Sequence, residues 1–599
     1  MRREPSIYLW YVRSFWLLAA VPGVAFLLVG FLIPLGRMLA SSVLDPAPGL
    51  GNFERIVEIT GYLKVTVQTL EIAALATLFT FLIGYPIAYL IATSRSRFTR
   101  QLLLFAIIGS QLSSVLTRTF AWQVVLGASG PVGMATGEGV LFTKLATTIG
   151  LVQFLLPFMV LPLVTVMHRI SPNITASSLT LGAGPAQTFT RVFVPMTVAG
   201  VVVSTVLVFA YSVGAYATPA ILGGQDGTML GVLIETTLNE GADPGFASAL
   251  SVLLMVIVGV AIAAYRFFFA GRMEWLLSGD HIGRSAVGRT RGASPWRRAV
   301  GAMLRAPMSV LTTVIRRVSS LIDDLRLSAT VIPHHILAVL AAAFLLLPQV
   351  FAMVISFSDT RSLIFPPPGW SLRWYEEYFS EAWLSPTWTS VVIAVFSAFV
   401  ATSVGGLAAI AAARTSSNKL RALLIAMMLL PLMVPAVVTA AAFYVSFVKV
   451  SLTDSVLGLI IAHSMILMPF TFGIVLANVQ SLNHRLELAA EGLGAGKIHL
   501  LRTVLIPQMK SGLLLAYGLA FLVSFDESVI GIFLSDIRVR TLPAKMFEAI
   551  SLESNPTVGA IATLMTVLSL ACFFLYEAAL RVKRMRRRTL PRPVRSEAA

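Results

Sequence analysis

Residues 487–507 read ELAAEGLGAGKIHLLRTVLIP, and this polar stretch between two apolar runs decides the fold. Its charges, alanines and glycines predict a short helix, a turn and a second short helix, with Pro507 opening the next helix. A second copy, ITASSLTLGAGPAQTFTRVFVP, occupies residues 174–195. From the first glycine of the shared Leu-Gly-Ala-Gly to the proline, the distance is 13 residues in both copies. Two copies of one loop indicate two copies of one domain.

The composition identifies the class of protein before any motif does. Hydrophobic residues make up 57% of the 599 residues, charged residues make up 12%, and the mean hydropathy is +0.83. Such a chain is too apolar for a soluble globular protein and too long for a single span. Twelve helices of ~20 apolar residues need about 240 residues. The sequence therefore predicts an all-α protein with about twelve transmembrane helices.

The apolar runs fall into two sets of six candidate spans. The first set lies near residues 15–36, 65–93, 102–127, 145–167, 192–217 and 246–265. The second set lies near residues 336–357, 386–413, 422–447, 455–479, 511–534 and 556–576. We expect a retained first helix rather than a cleaved signal peptide, because its apolar run is long and no clear small-x-small cleavage site follows it.

These runs predict four regions. Residues 1–270 form the first membrane domain, 271–333 a basic linker, 334–581 the second membrane domain and 582–599 a basic tail. Within the linker, residues 303–327 have apolar residues at helical spacing beside arginines, so this segment is either a helix on the membrane surface or a disordered spacer.

The distribution of basic residues predicts the orientation in the membrane. Lysine and arginine collect in residues 94–100, the linker, residues 414–421, the second repeated loop and the tail, whereas 127–144 and 223–245 contain few. The first repeated loop carries Arg191 and is assigned to the same side. Because positive loops stay on the inside, both termini are predicted to be cytoplasmic. The basic residues behind the formal net charge of +17 are then expected to face anionic lipid headgroups rather than nucleic acid.

The internal repeat extends beyond the loops. Pro157, Ser212 and Pro244 pair with Pro469, Ser524 and Pro556 at a constant spacing of 312, and upstream Pro34 pairs with Pro348 at 314. Two six-span repeats have parallel topology, so a twofold axis along the membrane normal would place a transport pathway between them.

Several polar residues stand inside the predicted spans, where charge is costly and usually faces a cavity or a partner. Asp526 and Glu527 either attract a cation descending from outside, or cap a helix end or bind an arginine in the following loop. A pairing between Glu71 and Arg118 is a further hypothesis. His463 is interpreted as a hydrogen-bonded packing histidine rather than a metal ligand.

No motif for ATP binding or catalysis accompanies these spans. The stretch after Gly494 lacks the spacing and the hydroxyl of a phosphate-binding Gly-x-x-x-x-Gly-Lys-Ser/Thr loop. The single cysteine, Cys572, excludes an internal disulfide, and neither a zinc-type cluster nor a nucleophile elbow is present in the sequence. Energy for uphill transport is therefore expected from a partner.

The two loops resemble the EAA loop of ABC importer permeases. The family pattern is Glu-Ala-Ala, two residues, Leu-Gly-Ala and a downstream Leu-Pro. Here Ala176 and Leu488 replace the first glutamate, and Glu487 stands one position early. In that family the loop is a cytoplasmic coupling helix that docks on an ATPase subunit. The resemblance assigns this role to Ala176, Leu181, Gly182, Ala183 and Pro195 in the first coupling loop, and to Glu487, Ala489, Ala490, Leu493, Gly494, Ala495 and Pro507 in the second.

The resemblance extends to the spermidine/putrescine class of permease. The second half carries LPLMVP at 430–435, IAHS at 461–464 and SFDE at 524–527, and the first half carries TRTFAW at 117–122, LPFMVLP at 156–162 and PAILGG at 219–224. It implies two permease subunits fused in one chain of the bacterial inner membrane. It also implies a periplasmic binding protein and a homodimer of ATPase subunits, with ATP and Mg²⁺ acting at the ATPase and no cofactor or metal on this chain.

A polyamine is a polycation, so acidic and aromatic side chains should line its path. Asp526, Glu527 and Glu71 are the acidic candidates, and Trp122 and Tyr216 are the aromatic ones. Fused permeases for ferric iron, thiamine and 2-aminoethylphosphonate share this loop and span plan and remain alternatives. A secondary carrier driven by an ion gradient, or a membrane enzyme, would need ligands or titratable groups gathered at one depth, and the sequence offers weak support for either.

Overall fold

The computed structural model describes residues 6–277, 331–552 and 555–571, and the regular elements in these ranges are all helical. Nine of the described helices are long and apolar enough to cross a membrane, and two more pairs qualify as spans with a sharp bend inside each. An apolar helix, Thr557–Ala571, stands where the twelfth span is predicted. The prediction of an all-α polytopic fold is therefore confirmed.

Each half contributes six span-forming elements. In the first half these are Ser6–Leu27 continued by Ile33–Leu44, Thr60–Thr93, Arg97–Leu112 with Val115–Leu126, Lys144–Met167, Val194–Val213 and Pro244–Leu277. In the second half they are Val331–Ile355, Glu381–Arg414, Asn418–Leu429 with Ala436–Phe447, Val456–Gln480, Ile506–Phe525 and Thr557–Ala571. Short π-helical turns, Leu28–Leu32, Phe189–Phe193 and Leu501–Leu505, lie within or at the start of three spans.

Most of the predicted linker, the whole predicted tail and Cys572 lie outside the described residues. The choice between a surface helix and a spacer for residues 303–327 therefore stays open.

The two halves repeat each other with a larger change of register than the sequence indicated. Helices Thr60–Thr93 and Glu381–Arg414 are both 34 residues long and begin 321 positions apart, whereas Lys144–Met167 and Val456–Gln480 begin 312 apart. The prediction of a slip of a few residues upstream was too small for these helices. The connection at residues 127–143 is nine residues longer than its counterpart at 448–455, which accounts for the difference.

The third span of each half is bent, which the sequence analysis did not predict. The chain turns by 104° between Arg97–Leu112 and the following helix, and by 92° at the corresponding place in the second half. In the first half the hydroxyl of Ser114 accepts the backbone N–H of Leu116 and caps the new helix. In the second half Pro435 disfavours helical backbone at the preceding Val434. Both bends therefore have local causes.

The first helix of each half packs against the other half. Trp16 and Leu27 belong to a buried cluster with Ala408 and Met428 of the second half. A Cβ added at Gly23 would lie 3.0 Å from the Cβ of Ala408, so small residues set this close approach. In return, helix Val331–Ile355 packs against both members of the first half's bent span. We call these two elements the exchanged first helices.

Candidate functional site

The two coupling loops adopt the same local structure. Each begins with a nine-residue helix, Pro172–Thr180 or His484–Gly492, and each helix is followed by a leucine and then by a glycine in the left-handed region. The φ angles are +87° at Gly182 and +86° at Gly494, a conformation that costs an L side chain about 1–2 kcal/mol. The shared glycine is therefore required by the turn.

These turns present a leucine to solvent on each loop. Leu181 is 87% exposed and Leu493 is 89% exposed. The turn behind each leucine is closed by a backbone hydrogen bond, from Ala183 N–H to the Ser178 carbonyl at 3.2 Å and from Ala495 N–H to the Ala490 carbonyl at 3.0 Å. An apolar side chain held out on an ordered turn is suited to insertion into a pocket of a partner.

Charged side chains hold the second coupling loop to the membrane domain. Glu487 forms an ion pair with Arg414, the last residue of helix Glu381–Arg414, and the two side chains are only 3% and 12% exposed. Glu491 pairs with Lys497, whose Nζ lies 5.8 Å from the centroid of the Trp16 ring. Although it stands one position early, Glu487 therefore carries a buried salt bridge.

The first coupling loop lacks charge at the positions equivalent to Glu487 and Arg414. Thr175 stands 312 residues before Glu487, and Thr93 stands 321 residues before Arg414, so two threonines occupy the positions of the ion pair. Inside the loop, the hydroxyls of Ser178 and Thr188 hydrogen-bond at 3.0 Å. The two loops are thus equal in shape and unequal in their attachment.

Each coupling loop continues into a span through a proline at the predicted place. Pro195 and Pro507 lie in the first turn of Val194–Val213 and Ile506–Phe525, where a missing N–H is tolerated. Ala176 and Ala489 lie within the loop helices and are exposed, and Ala490 is partly exposed. The second of these spans ends at Phe525, directly before Asp526. One helix therefore joins the second coupling loop to the acidic pair.

Glu527 caps the short helix that follows this break. Its carboxylate accepts the backbone N–H groups of Val529 at 3.0 Å, Ile530 at 2.9 Å and Gly531 at 3.3 Å. Of the two interpretations of the acidic pair, capping of a helix end is therefore confirmed for Glu527. His463 is buried with its Nδ1 2.9 Å from Ser524 Oγ and its Nε2 3.8 Å from Glu527 Oε2, which confirms a hydrogen-bonded packing role.

Asp526 faces the first half of the molecule. Its carboxylate interacts electrostatically with the side chains of Ser114, at the first bend, and Arg118. The predicted alternative, an arginine of the following loop, is not its partner. In the described part of the chain, the side chain of Arg540 pairs with Glu548. Arg118 and Asp526 thus interact electrostatically across the two halves, without an ion pair between them in the described ranges.

Glu71 and Trp122 do not join this site. Glu71 forms an exposed ion pair with Lys144 at 2.6 Å, so the hypothesis that it pairs with Arg118 was wrong. Trp122 is buried, and its Nε1 donates to Gln153 Oε1 at 2.8 Å. Its ring packs against that of Phe344 at 5.6 Å, so both the ring and its N–H group are engaged in packing between helices.

Tyr216 packs where the two halves meet. Its ring lies 5.7 Å from that of Phe533 and 5.5 Å from that of Phe547, both in the second half. Its side chain also interacts electrostatically with Glu235, whose Oε1 accepts a hydrogen bond from Asn239 at 3.0 Å. Burial raises the pKa of Glu235 above its ordinary value. The sequence gives no signal for Glu235, because residues 223–245 carry few basic residues and are predicted to be an outer loop.

A second acidic residue organises an outer connection. The carboxylate of Asp454 accepts backbone N–H groups from Asp536, Arg538 and Val539 at 3.1, 3.0 and 2.9 Å. Burial alone would raise its pKa, but these three hydrogen bonds and the Arg538 charge outweigh that effect and lower the pKa.

Comparison with known proteins gives a family match over both halves. The family described as "Binding-protein-dependent transport system inner membrane component" matches residues 84–271 and again residues 404–587.

Each individual relative matches a stretch of this chain that is shorter than one of its two halves. The spermidine/putrescine transport system permease protein PotB of Escherichia coli (strain K12) is 29% identical over 224 residues, which are 36% of this chain and 81% of PotB. The same protein of Haemophilus influenzae is 31% identical over 34% of this chain and 74% of its own length. The permease protein PotC of Haemophilus influenzae is 30% identical over 38% of this chain and 89% of PotC.

Proposed function

This chain belongs to the family of binding-protein-dependent transport system inner membrane components, and from that premise we propose that it is the fused permease of an ATP-driven polyamine importer. The family occurs twice in the chain, and the relatives named as spermidine/putrescine permeases each match little more than a third of it. A periplasmic binding protein delivers the polyamine, and a homodimer of ATPase subunits binds the cytoplasmic face.

The observation that carries this proposal is the pair of matched coupling loops. If each bent pair is counted as one crossing, six spans separate the first loop from the second, so both lie on one side. The lysines and arginines at residues 94–100 and 414–421 and in the second loop support a cytoplasmic location for that side and for both termini. Leu181 and Leu493 then offer one anchor to each subunit of a symmetric partner.

The proposed coupling runs along helix Ile506–Phe525. Its inner end receives the second coupling loop and its outer end carries Asp526. At about 1.5 Å per residue, its 20 residues span about 30 Å, the thickness of the hydrocarbon core. A movement of the loop by the ATPase would therefore reach the junction of the halves directly. An ATPase can shift this equilibrium only if its contacts differ between the two states.

One observation favours a second candidate substrate, 2-aminoethylphosphonate. Arg118 lies near Asp526, and a guanidinium suits a phosphonate while a carboxylate suits an ammonium group. A zwitterion could therefore satisfy both charges, whereas a polyamine must compete with Arg118.

Reconstitution tests the proposal. The chain is placed in proteoliposomes with its ATPase and binding protein, and uptake of radiolabelled spermidine, putrescine and 2-aminoethylphosphonate is measured with and without ATP. We expect ATP-dependent uptake of the polyamines, lowered in the double variant Asp526→Asn/Glu527→Gln without loss of the bound ATPase. Uptake driven by an ion gradient alone would contradict the proposal, and uptake of the phosphonate alone would reassign the substrate.

A further inference from the structure

A groove on the surface of the first half combines positive charge with apolar surface. It has a volume of about 380 Å³ and is lined by Leu63, Lys64, Val67, Gln68, Glu71 and Lys144. The Lys144 Nζ lies 2.6 Å from Glu71 Oε2, and these two side chains are 40% and 48% exposed. Lys64 is exposed and has no ion-pair partner in the described part of the chain. Two lysines against one glutamate leave the groove with one net positive charge.

The second half packs the same two helices without these charges. Ser385 and Val392 of helix Glu381–Arg414 stand 321 positions after Lys64 and Glu71, and Val456 stands 312 positions after Lys144. In both halves the two helices that carry these positions lie against each other. Packing of the repeated fold therefore does not require the charges of the groove.

The lengths of the two helices place the ion pair at the edge of the hydrocarbon core. Glu71 lies 22 residues before Thr93, and Lys144 lies 23 residues before Met167, the helix ends on the side of the coupling loops. At about 1.5 Å per residue these distances are about 33 and 35 Å, whereas the hydrocarbon core is about 30 Å thick. Lys64 stands two helical turns further out, so it lies at the level of the lipid headgroups.

An apolar surface continues the groove toward the centre of the membrane. Leu78 and Leu82 follow Glu71 at positions i+7 and i+11, on the same face of the helix. Their side chains are 50% and 49% exposed, and Leu145, next to Lys144, is 56% exposed. At this depth an exposed leucine contacts acyl chains, which are equally apolar. The surface is thus cationic at headgroup level and apolar below it, as the two parts of an anionic phospholipid require.

We propose that this groove binds one anionic phospholipid of the leaflet opposite the coupling loops. The phosphate lies between the ammonium groups of Lys64 and Lys144, and an acyl chain lies along Leu78 and Leu82. A lysine has three N–H donors, so Lys144 can hold Glu71 and a phosphate oxygen together. Glu71 orients Lys144 but repels the phosphate, so it lowers the affinity for the lipid. The inference does not depend on which solute the chain transports.

Native mass spectrometry of the delipidated, full-length chain tests the lysines. The protein is titrated with phosphatidylglycerol and, in parallel, with phosphatidylcholine, and the bound lipid is counted. We expect tighter binding of phosphatidylglycerol, weakened about fivefold in Lys64→Gln and in Lys144→Gln. Lys449→Gln is the matched control, because Lys449 is an exposed lysine in the corresponding connection of the second half. This variant should bind phosphatidylglycerol like the wild type.

The variant Glu71→Gln distinguishes an anionic ligand from a cationic one. It removes the carboxylate and frees Lys144, so phosphatidylglycerol should bind about fivefold more tightly. A polyamine held by Glu71 would instead bind less tightly, and weaker lipid binding in this variant would overturn the inference. So would equal affinities of the wild type for the two lipids, or wild-type affinity in both lysine variants. Inorganic phosphate lacks acyl chains and should not displace the lipid, and displacement would show a phosphate site rather than a lipid site.

Discussion

The buried ion pair of the second coupling loop allows the sharpest prediction. Replacing Glu487 by Gln leaves Arg414 charged and largely enclosed, because the arginine side chain is only 12% exposed. Removing one partner of a buried pair costs about 3–5 kcal/mol, and the residual exposure of Arg414 places the cost at the lower end, about 3 kcal/mol. At about 1.4 kcal/mol per factor of ten, the attached state of the loop becomes about a hundredfold less favoured.

Two measurements report this change. The number of solute molecules transported per ATP hydrolysed should fall, because the ATPase moves a loop that no longer pulls the helix ending before Asp526. Amide hydrogen exchange in helix His484–Gly492 should speed up by about the same hundredfold, while exchange in Pro172–Thr180 stays unchanged.

The first half supplies the matched control. Its equivalent positions are Thr175 and Thr93, so the double variant Arg414→Thr/Glu487→Thr gives the second loop the neutral attachment of the first. Removing both partners leaves no unpaired buried charge, and an unpaired charge is what makes the loss of a single partner so costly. We therefore expect the double variant to couple better than Glu487→Gln. If Glu487→Gln exchanges and couples like the wild type, or the double variant is as impaired as the single one, the reasoning is refuted.

Three further predictions concern other features. Leu181→Asp and Leu493→Asp should each weaken retention of the ATPase during purification, and full retention by the double variant would remove the leucines from the interface. Gly494→Val should destabilise the turn by about 1–2 kcal/mol through its left-handed backbone and uncouple hydrolysis from uptake, whereas Gly496→Val should be mild; equal effects would contradict this. Asp454→Ala should lower the free energy of unfolding at pH 7 by about 1–3 kcal/mol, because it removes the acceptor of three backbone hydrogen bonds. The pKa of Asp454 is lower in the folded protein than in the unfolded chain, where it is about 3.9. Its contribution to the free energy of unfolding is therefore present above about pH 3.9 and is lost as the pH falls through the folded pKa. Melting curves of the variant and the wild type should converge in acid.

Local patterns in the sequence predicted the coupling loops and the span count well. The left-handed turns at Gly182 and Gly494 follow from residues within a few positions, and span length follows from hydropathy. The proline at the start of the following helix is equally local. Such features depend little on the rest of the chain.

Features that depend on tertiary packing could not be predicted in the same way. Glu71 pairs with Lys144, which is 73 residues away, and the partner of Glu487 is equally distant. Ser113, Ser114 and Pro435 are residues typical of a break in a helix and mark the two bends. Because apolar runs flank these residues on both sides, hydropathy alone predicts one continuous span in each place. The sequence identifies Asp526 as a charge at the end of an apolar run, whereas its electrostatic interaction with Ser114 depends on the arrangement of both halves.

The exchanged first helices bear on how the protein is made. Trp16 and Leu27 pack against residues that follow them by about 400 positions, including Ala408 and Met428. At about 5–20 residues per second, the ribosome needs roughly 20–80 s to synthesise that interval. The N-terminal helix must therefore wait in the lipid, or with an insertion chaperone, until its neighbours emerge. Mutations at Gly23 should therefore impair assembly of the protein in the membrane before they impair the function of the assembled transporter.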